Sequence, residues 1–538
     1  VYLAGNQATP LWDRDEPRYA QASRQMARSG DWVVPMLLDE PRLKKPVLIY
    51  WLQAASMKIL GETRFAARLP SAVGMVAVLA IVGLVGSGMT DQTRAWLAAF
   101  LLGTSVLAIA AAKMCITDAV LLVFILATQL CLYRLWMGER SWGLWAIMGL
   151  AIGLAMLTKG PVVLGVMGTT LLALAVFRWL DRRSFKPAES PLPSPGPRKS
   201  PLHWFGGIAL ASGAAMIVLL PWLLAMEGRI PGYTWSTLRD EVIARAGKPQ
   251  EGHKGPPGYY LLTIWVSWFP WSAILPWVLV AAWKRRAAPW IRFSLAACIG
   301  PWLMLEAVQT KLPHYLLPVF PFLAFLTADW VIEQIRASTT GRRGLSKVWS
   351  AALALGWVGF GLSFLLIPWV PGLDPVPAEY WIGSGVLALV SVAGAIVLYR
   401  GVAAGKPWIA PAGLLVWTTV VVVTGLVVPQ ATFLQLSPRI AATLEAAGAT
   451  QSRRILMIDY KEPSLAFEQG GTIRPERRNN YLQETPPSEW PDFLVLTAGI
   501  WAATDASIKE QWQEAGRLRG INYASDPTPV EVVVLRKR

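Results

Sequence analysis

The stretch Leu-Trp-Asp-Arg-Asp-Glu-Pro-Arg-Tyr-Ala (11–20) sets Asp13, Asp15 and Glu16 against Arg14 and Arg18 in a chain that is otherwise 54% apolar. Such a cluster serves either as the end of a surface helix or as a set of proton-transferring and charge-stabilising groups. Asp15 suits a helix N-cap, Pro17 its first turn and Gly30 its end, while Tyr19, Ala22, Ser23 and Met26 give one modest apolar face. Capping leaves Asp13, Glu16 and Arg18 without a purpose.

Other chemistry-bearing residues are scattered along the chain. Lys44 and Lys45 precede Pro46, which keeps them outside a helix, and Tyr50 and Trp51 follow at interfacial depth. Asp118 opens an apolar segment, Lys159 closes another, Lys311 and His314 precede a third, and His253 lies just ahead of a fourth. Ionisable groups at span ends are expensive to desolvate, so several arriving from separate helices point to a shared watery cavity. Taken singly, each is equally a solvated helix end, and lysines beside a bilayer commonly meet lipid headgroups. His253 and His314 lack the paired spacing of a metal site and read as ordinary hydrogen-bonded or exposed histidines. A carboxylate can take a proton from an attacking hydroxyl, or orient it, while lysine and arginine offset a departing phosphate. A polyprenyl-phosphate sugar poses that task, because its tail stays in lipid while its headgroup meets water.

The elements that must position these groups are membrane helices. Only 16% of the residues are charged, against roughly 25% in a soluble domain. Apolar stretches of about spanning length cover 66–87, 95–112, 118–136, 143–158, 160–180, 204–226, 259–283, 289–308, 314–335, 349–370, 381–399 and 408–428, twelve in all. The net charge of +16 is distributed between these stretches, which argues for membrane topology and against a nucleic-acid partner. Basic loops at 178–203, 284–286 and 336–347 face the cytoplasm by the positive-inside bias. That places residues 1–65, the turns at 113–118, 158–160 and 309–314, the 227–258 segment, 371–380 and everything after 428 on the other side. The acids and in-membrane lysines collect there. Val1 is not a methionine, and twelve spans put both ends outside, so a further span ahead of residue 1 is expected.

Three units follow: a first extracytoplasmic loop (1–65) with amphipathic helices, a transmembrane region (66–428), and a small soluble α/β domain (430–538). In the last, 453–460, 492–499 and 530–537 read as strands and 503–518 as a helix. The proline- and serine-rich 181–201 stretch reads as a mobile cytoplasmic loop. Cys115, Cys131 and Cys298 fall in or beside apolar segments without framework spacing, so no disulfide scaffold is implied.

In order, the motifs Leu-Trp-Asp-Arg-Asp-Glu-Pro-Arg-Tyr-Ala with Ser-Gly-Asp-Trp, Lys-Lys-Pro, Ala-Arg-Leu-Pro-Ser, Leu-Thr-Lys-Gly-Pro, Gly-Tyr-Tyr-Leu-Leu and Thr-Lys-Leu-Pro-His-Tyr resemble membrane glycosyltransferases. These are the enzymes related to protein O-mannosyltransferases and to bacterial lipid A aminoarabinose transferases. The resemblance runs through residue 428, with a tail like that of the bacterial members. It implies a polytopic α-helical fold of the GT-C type with thirteen spans, and an inverting transferase in the bacterial inner membrane with its active site on the periplasmic side. The implied partners are an undecaprenyl-phosphate-linked sugar donor, lipid A or another glycolipid or protein acceptor, and membrane lipid.

The resemblance assigns Asp15 as base or acceptor-orienting acid with Glu16 beside it, Asp118 as second acid, and Lys45 as the donor-phosphate ligand. Arg18, Lys159 and Lys311 fall in the phosphate-binding motifs, and Lys44, Tyr19, Tyr50, His253, His314 and Tyr315 line the implied cavity. The aminoarabinose transferases carry an acid where this chain has Lys44, which leaves the sugar, and a divalent metal shared with His253, open. No cofactor is required. Protein O-glycosylation with the same donor is the alternative within the enzymes. A lipid or sugar transporter would set its polar residues near the bilayer midplane on broken helices, whereas these lie at one face. A non-catalytic scaffold would have no use for Asp15 and Asp118 together.

Overall fold

A computed structural model describes residues 1–183, 201–237, 239, 255–339, 344–369, 376–403, 408–523 and 529–538. The first loop folds as two helices, α1 (Asp15–Ser29) and α2 (Leu48–Leu60), joined through the two-residue strands β1 (Met36–Leu37) and β2 (Glu40–Pro41). Gly30 ends α1 in the left-handed region (φ 72°) with its N–H bonded to the Met26 carbonyl, as the sequence implies. Asp15 is not the cap. It is the first helical residue, Arg14 takes the cap position without a side-chain bond, and Tyr19, Ala22, Ser23 and Met26 are all buried.

The bundle begins with α3 (Arg64–Ala80), whose Thr63 cap accepts the Ala66 N–H. The bent pair α4 (Gln92–Gly103) and α5 (Val106–Lys113) follows, then α6 (Asp118–Trp136), α7 (Trp142–Lys159) and α8 (Val162–Arg183). Among the described residues, nine helices are long and apolar enough to cross a membrane, and eleven if each of two bent pairs forms one span. The chain is a multi-pass membrane protein. Three of the twelve expected stretches account for the difference. The 95–112 stretch bends by 65° between α4 and α5, and the 259–283 stretch by 118° between Tyr259–Ser267 and Trp271–Lys284. Apolar length registers neither bend. The 289–308 stretch does form a helix, Pro289–Ala307, but it falls outside the spanning set and lies mostly buried. At the far end of the sharper bend, Arg285 pairs with Asp329, and Arg94 at the start of α4 binds the same carboxylate at 2.8 Å. Residues 284–286 thus lie beside the start of α4, joined to it through Asp329.

The C-terminal region forms a five-stranded sheet in the order β4-β3-β5-β7-β6, from β3 (Ile455–Ile458), β4 (Arg474–Glu476), β5 (Phe493–Thr497), β6 (Trp512–Ile521) and β7 (Pro529–Lys537). β3, β4 and β5 run parallel, and β7 and β6 antiparallel. The expected helix over 503–518 is wrong for most of its length: after the short Ala506–Lys509 turn, β6 pairs with β7 around a bulge at Glu514 and Gly516. β6 is an edge strand carrying Glu514, Arg517 and Arg519, and the three-residue spacing of its Glu514–Arg517 ion pair resembles helical periodicity. Cys115, Cys131 and Cys298 are free and buried.

Candidate active site

Five elements deliver charged or polar groups to one chamber on the face that carries residues 1–65. α1 supplies Asp15, Arg18 and Tyr19, and the Pro46-bounded loop ahead of α2 supplies Arg42, Lys44 and Lys45. The entry to α6 contributes Thr117 and Asp118, the last residue of α7 is Lys159, and the 310–315 turn brings Thr310, His314 and Tyr315. The space between them is narrow, about 50 Å³.

Asp118 sits at the centre of the charge balance. Its Oδ1 accepts from Lys159 Nζ at 2.8 Å, its Oδ2 accepts from the Thr117 hydroxyl at 3.2 Å, and His314 Nε2 lies 3.9 Å from Oδ2. Lys159 also stands 4.5 Å above the Tyr315 ring, which meets His314 edge-on. A buried carboxylate with these partners is anionic and anchors the lysine at the chamber wall.

Across the chamber, Arg42 donates from Nε to Tyr50 Oη at 2.9 Å and lies 5.0 Å over the Tyr19 ring. Burial works against the Arg42 charge, but Tyr50, Tyr19 and Asp15 outweigh it and hold the guanidinium above its ordinary pKa. Burial, reinforced by Tyr50, pushes the Tyr19 hydroxyl well above its usual range, so it stays a neutral phenol.

An apolar groove of about 280 Å³ shares Lys44, Lys45, Asp118, Lys159 and Tyr315 with the chamber. It follows Leu121, Leu122 and Ile125 of α6, Val162 and Gly165 of α8, and Met304, Leu305 and Val308. A cationic chamber opening onto an apolar groove suits an anionic amphiphile: phosphate on the lysines, hydrocarbon along the helices.

Three of the expected residues that the structure describes do not line the chamber. Glu16 is fully buried; its oxygens accept from Arg68 Nε and a terminal Arg68 nitrogen at 2.9 and 2.7 Å and from the N–H groups of Trp12 and Cys115. That arrangement is a buried ion pair outside the chamber lining. Lys311 is bound to Glu306 at 2.9 Å and to the Pro256 carbonyl at 3.0 Å, while Glu306 takes the N–H groups of Gly258 and Tyr260, so this lysine fastens a helix start. Tyr50 stands behind Arg42, with its hydroxyl as that residue's acceptor. His253 lies outside the described residues. Asp15, Arg18, Tyr19, Lys44, Lys45, Asp118, Lys159, His314 and Tyr315 are brought together.

Residues 44–188 match the dolichyl-phosphate-mannose-protein mannosyltransferase family. An undecaprenyl phosphate-alpha-4-amino-4-deoxy-L-arabinose arabinosyl transferase of Pectobacterium carotovorum is 31% identical over 400 residues, 72% of this chain and 67% of that protein. The chain belongs to this family of polyprenyl-phosphate-sugar glycosyltransferases. A namesake from Yersinia enterocolitica is 30% identical over 378 residues, 67% of this chain; the match spans 64% of that relative's length. The fold agrees with ArnT from Cupriavidus metallidurans bound to undecaprenyl phosphate: TM-score 0.74 and 18% identity, over 99% of this chain and 95% of that one.

Arg42 also lines the chamber, although the sequence reading does not single it out. Its signal was the run Arg42-Leu43-Lys44-Lys45, three cations in four residues on the face where basic residues are not expected. A metal fits less well. Among the described residues no group of three or more His, Cys, Asp or Glu is arranged to hold one, and the Lys159 ammonium takes the Asp118 oxygen that a cation would need.

Proposed function

We propose that the protein is an inverting glycosyltransferase that moves a sugar from undecaprenyl phosphate to lipid A or another envelope acceptor. On this reading it works at the periplasmic face of the bacterial inner membrane. The observation that carries the proposal is the wall shared by chamber and groove, where Lys44, Lys45, Lys159 and Tyr315 border both. The donor phosphate rests on Lys44 and Lys45, with Arg18 and Arg42 adding positive charge, and the polyprenyl chain runs along α6 and α8.

Chemistry follows from that seating. The acceptor oxygen attacks the anomeric carbon from the face opposite the phosphate, the carbon–oxygen bond to phosphate breaks, and its electron pair leaves with undecaprenyl phosphate. The cations stabilise the charge that grows on the leaving oxygen. Asp118 holds Lys159 within reach of it. Asp15 faces the acceptor: it receives the proton of an attacking hydroxyl, or orients an acceptor phosphate, which arrives already ionised.

The relatives' names make 4-amino-4-deoxy-L-arabinose the first sugar to try. The test is a reconstituted assay with undecaprenyl-phosphate-linked aminoarabinose and lipid A, read by mass spectrometry of the acceptor and by release of undecaprenyl phosphate. A protein that turns over no polyprenyl-phosphate sugar with glycolipid or protein acceptors refutes the proposal.

A further inference from the structure

The residues that lead into α1 are held by the C-terminal domain, not by the membrane bundle alone. Asp13, two residues ahead of Asp15, accepts hydrogen bonds from the Ser464 N–H at 3.1 Å and from the Ser464 hydroxyl, and its own N–H donates to Tyr523 Oη at 2.9 Å. On one side, Trp12 meets the Tyr523 ring edge-on at 6.0 Å. On the other, Arg14 lies 3.5 Å from the buried Glu462, which Asn522 also binds at 2.9 Å. Three consecutive residues are thus gripped by two segments more than 440 positions away in sequence. Asp15 is the first residue beyond the grip, and Arg14 before it makes no side-chain capping bond to α1.

We propose that Ser464 and Tyr523 are positioning residues: by clamping Asp13 they fix the start of α1 and so the aim of Asp15 into the chamber. This rests on the reading that Asp15 takes part in transfer. Docking of the domain does not depend on the clamp. The same α1 surface packs Arg24 over the Phe467 ring at 3.8 Å and bonds it to the Phe467 carbonyl at 2.8 Å, and Arg64 holds Glu468 at 2.6 Å. Removing one hydroxyl from the clamp therefore loosens residues 11–15 and leaves the domain seated.

The experiment uses the full chain in nanodiscs with Ser464→Ala, Ser464→Thr, Tyr523→Phe and, as a docking control, Phe467→Ala. Ser464→Ala and Tyr523→Phe are expected to speed amide exchange over residues 11–18 and to lower kcat roughly tenfold, with donor KM unmoved. Ser464→Thr, which keeps the hydroxyl, restores both. Phe467→Ala lowers the melting temperature, and its kcat per folded molecule stays near that of the parent. Unchanged exchange and unchanged kcat in both clamp variants overturn the proposal, as does a loss confined to melting temperature. A parent protein without transfer activity refutes the function instead, and the exchange measurement then still decides whether the clamp orders the start of α1.

Discussion

Lys159 Nζ and Asp118 Oδ1 lie 2.8 Å apart, joining the last residue of α7 to the first of α6 at the chamber wall, with both side chains at most one-tenth exposed. A buried pair of this kind is costly to break from one side, because the remaining charge keeps its desolvation penalty without its partner. Asp118→Asn therefore damages folding and transfer together, with an expected loss of about 3–5 kcal/mol. Asp118→Asn combined with Lys159→Met regains much of the melting temperature without regaining turnover. Parallel thermal unfolding and transfer assays separate the two effects, and a double variant as unstable as the single one counts against the pair as described.

Asp15 makes the opposite case. It lines the chamber on the first turn of α1, part-exposed, away from the Glu16–Arg68 pair behind it. Asp15→Asn is expected to melt as the parent does. If the acceptor is a hydroxyl, its rate falls roughly 10²–10⁴-fold, the worth of a positioned base; with a phosphate acceptor the loss is smaller. Wild-type turnover with both acceptor classes removes Asp15 from the mechanism.

Glu16→Gln tests the neighbouring acid. Glu16 and Arg68 are 0% and 1% exposed, and the carboxylate also ties Trp12 and Cys115 to the pair. Neutralising it strands Arg68, so the yield of folded protein and its melting temperature drop while turnover per folded molecule persists. A stable but inactive Glu16→Gln protein restores this acid to the chemistry.

Much of the chamber was readable because its residue types are out of place: lysines on the non-cytoplasmic side, and an aspartate opening an apolar helix. Sides assigned from the basic loops bring Asp118, Lys159 and the 309–314 turn to one level from the sequence alone. Sequence does not say which of two adjacent acids faces inward. Successive helical residues point roughly 100° apart, and the choice of Asp15 over Glu16 is made by Arg68, buried in the Ala-Arg-Leu-Pro-Ser stretch of α3. The Lys311–Glu306 pair is hidden for the same reason, since Glu306 becomes the partner of Lys311 only once the Pro289–Ala307 helix and the following turn are packed. The clamp on Asp13 was out of reach altogether, because Ser464 and Tyr523 have no local signal linking them to α1.

Lys44 and Lys45 border both the chamber and the groove, at the boundary between phosphate and hydrocarbon. Lys45→Ala is expected to weaken undecaprenyl phosphate binding, raising donor KM far more than it lowers kcat, and Lys44→Ala to do the same. Lys44→Glu, which reverses the charge at that position, distinguishes a phosphate role from a sugar-specific one. Weaker binding of undecaprenyl phosphate alone, measured by native mass spectrometry, assigns Lys44 to the phosphate; a change only in which sugar is transferred assigns it to the sugar. Unaltered donor binding in both alanine variants moves the phosphate elsewhere.

Asp13 gives the first loop a pH dependence of definite sign. Burial raises its carboxyl to about 7, and nearby Glu462 adds to the shift, while the bonds from Ser464 and the charge of Arg14 oppose it; the phenol of Tyr523 faces the same group. An acid whose pKa is higher folded than unfolded binds protons more tightly in the folded state. Its contribution to stability is therefore complete below the ordinary carboxylate range and is lost as pH rises toward and through about 7. Contact between the C-terminal domain and the start of α1 should accordingly be firmer at pH 5.5 than at pH 8, seen as slower exchange over residues 11–18 at the lower pH after correction for intrinsic rates. Asp13→Asn, which cannot ionise, should flatten that difference. An equal pH response in parent and variant places the titration on another group.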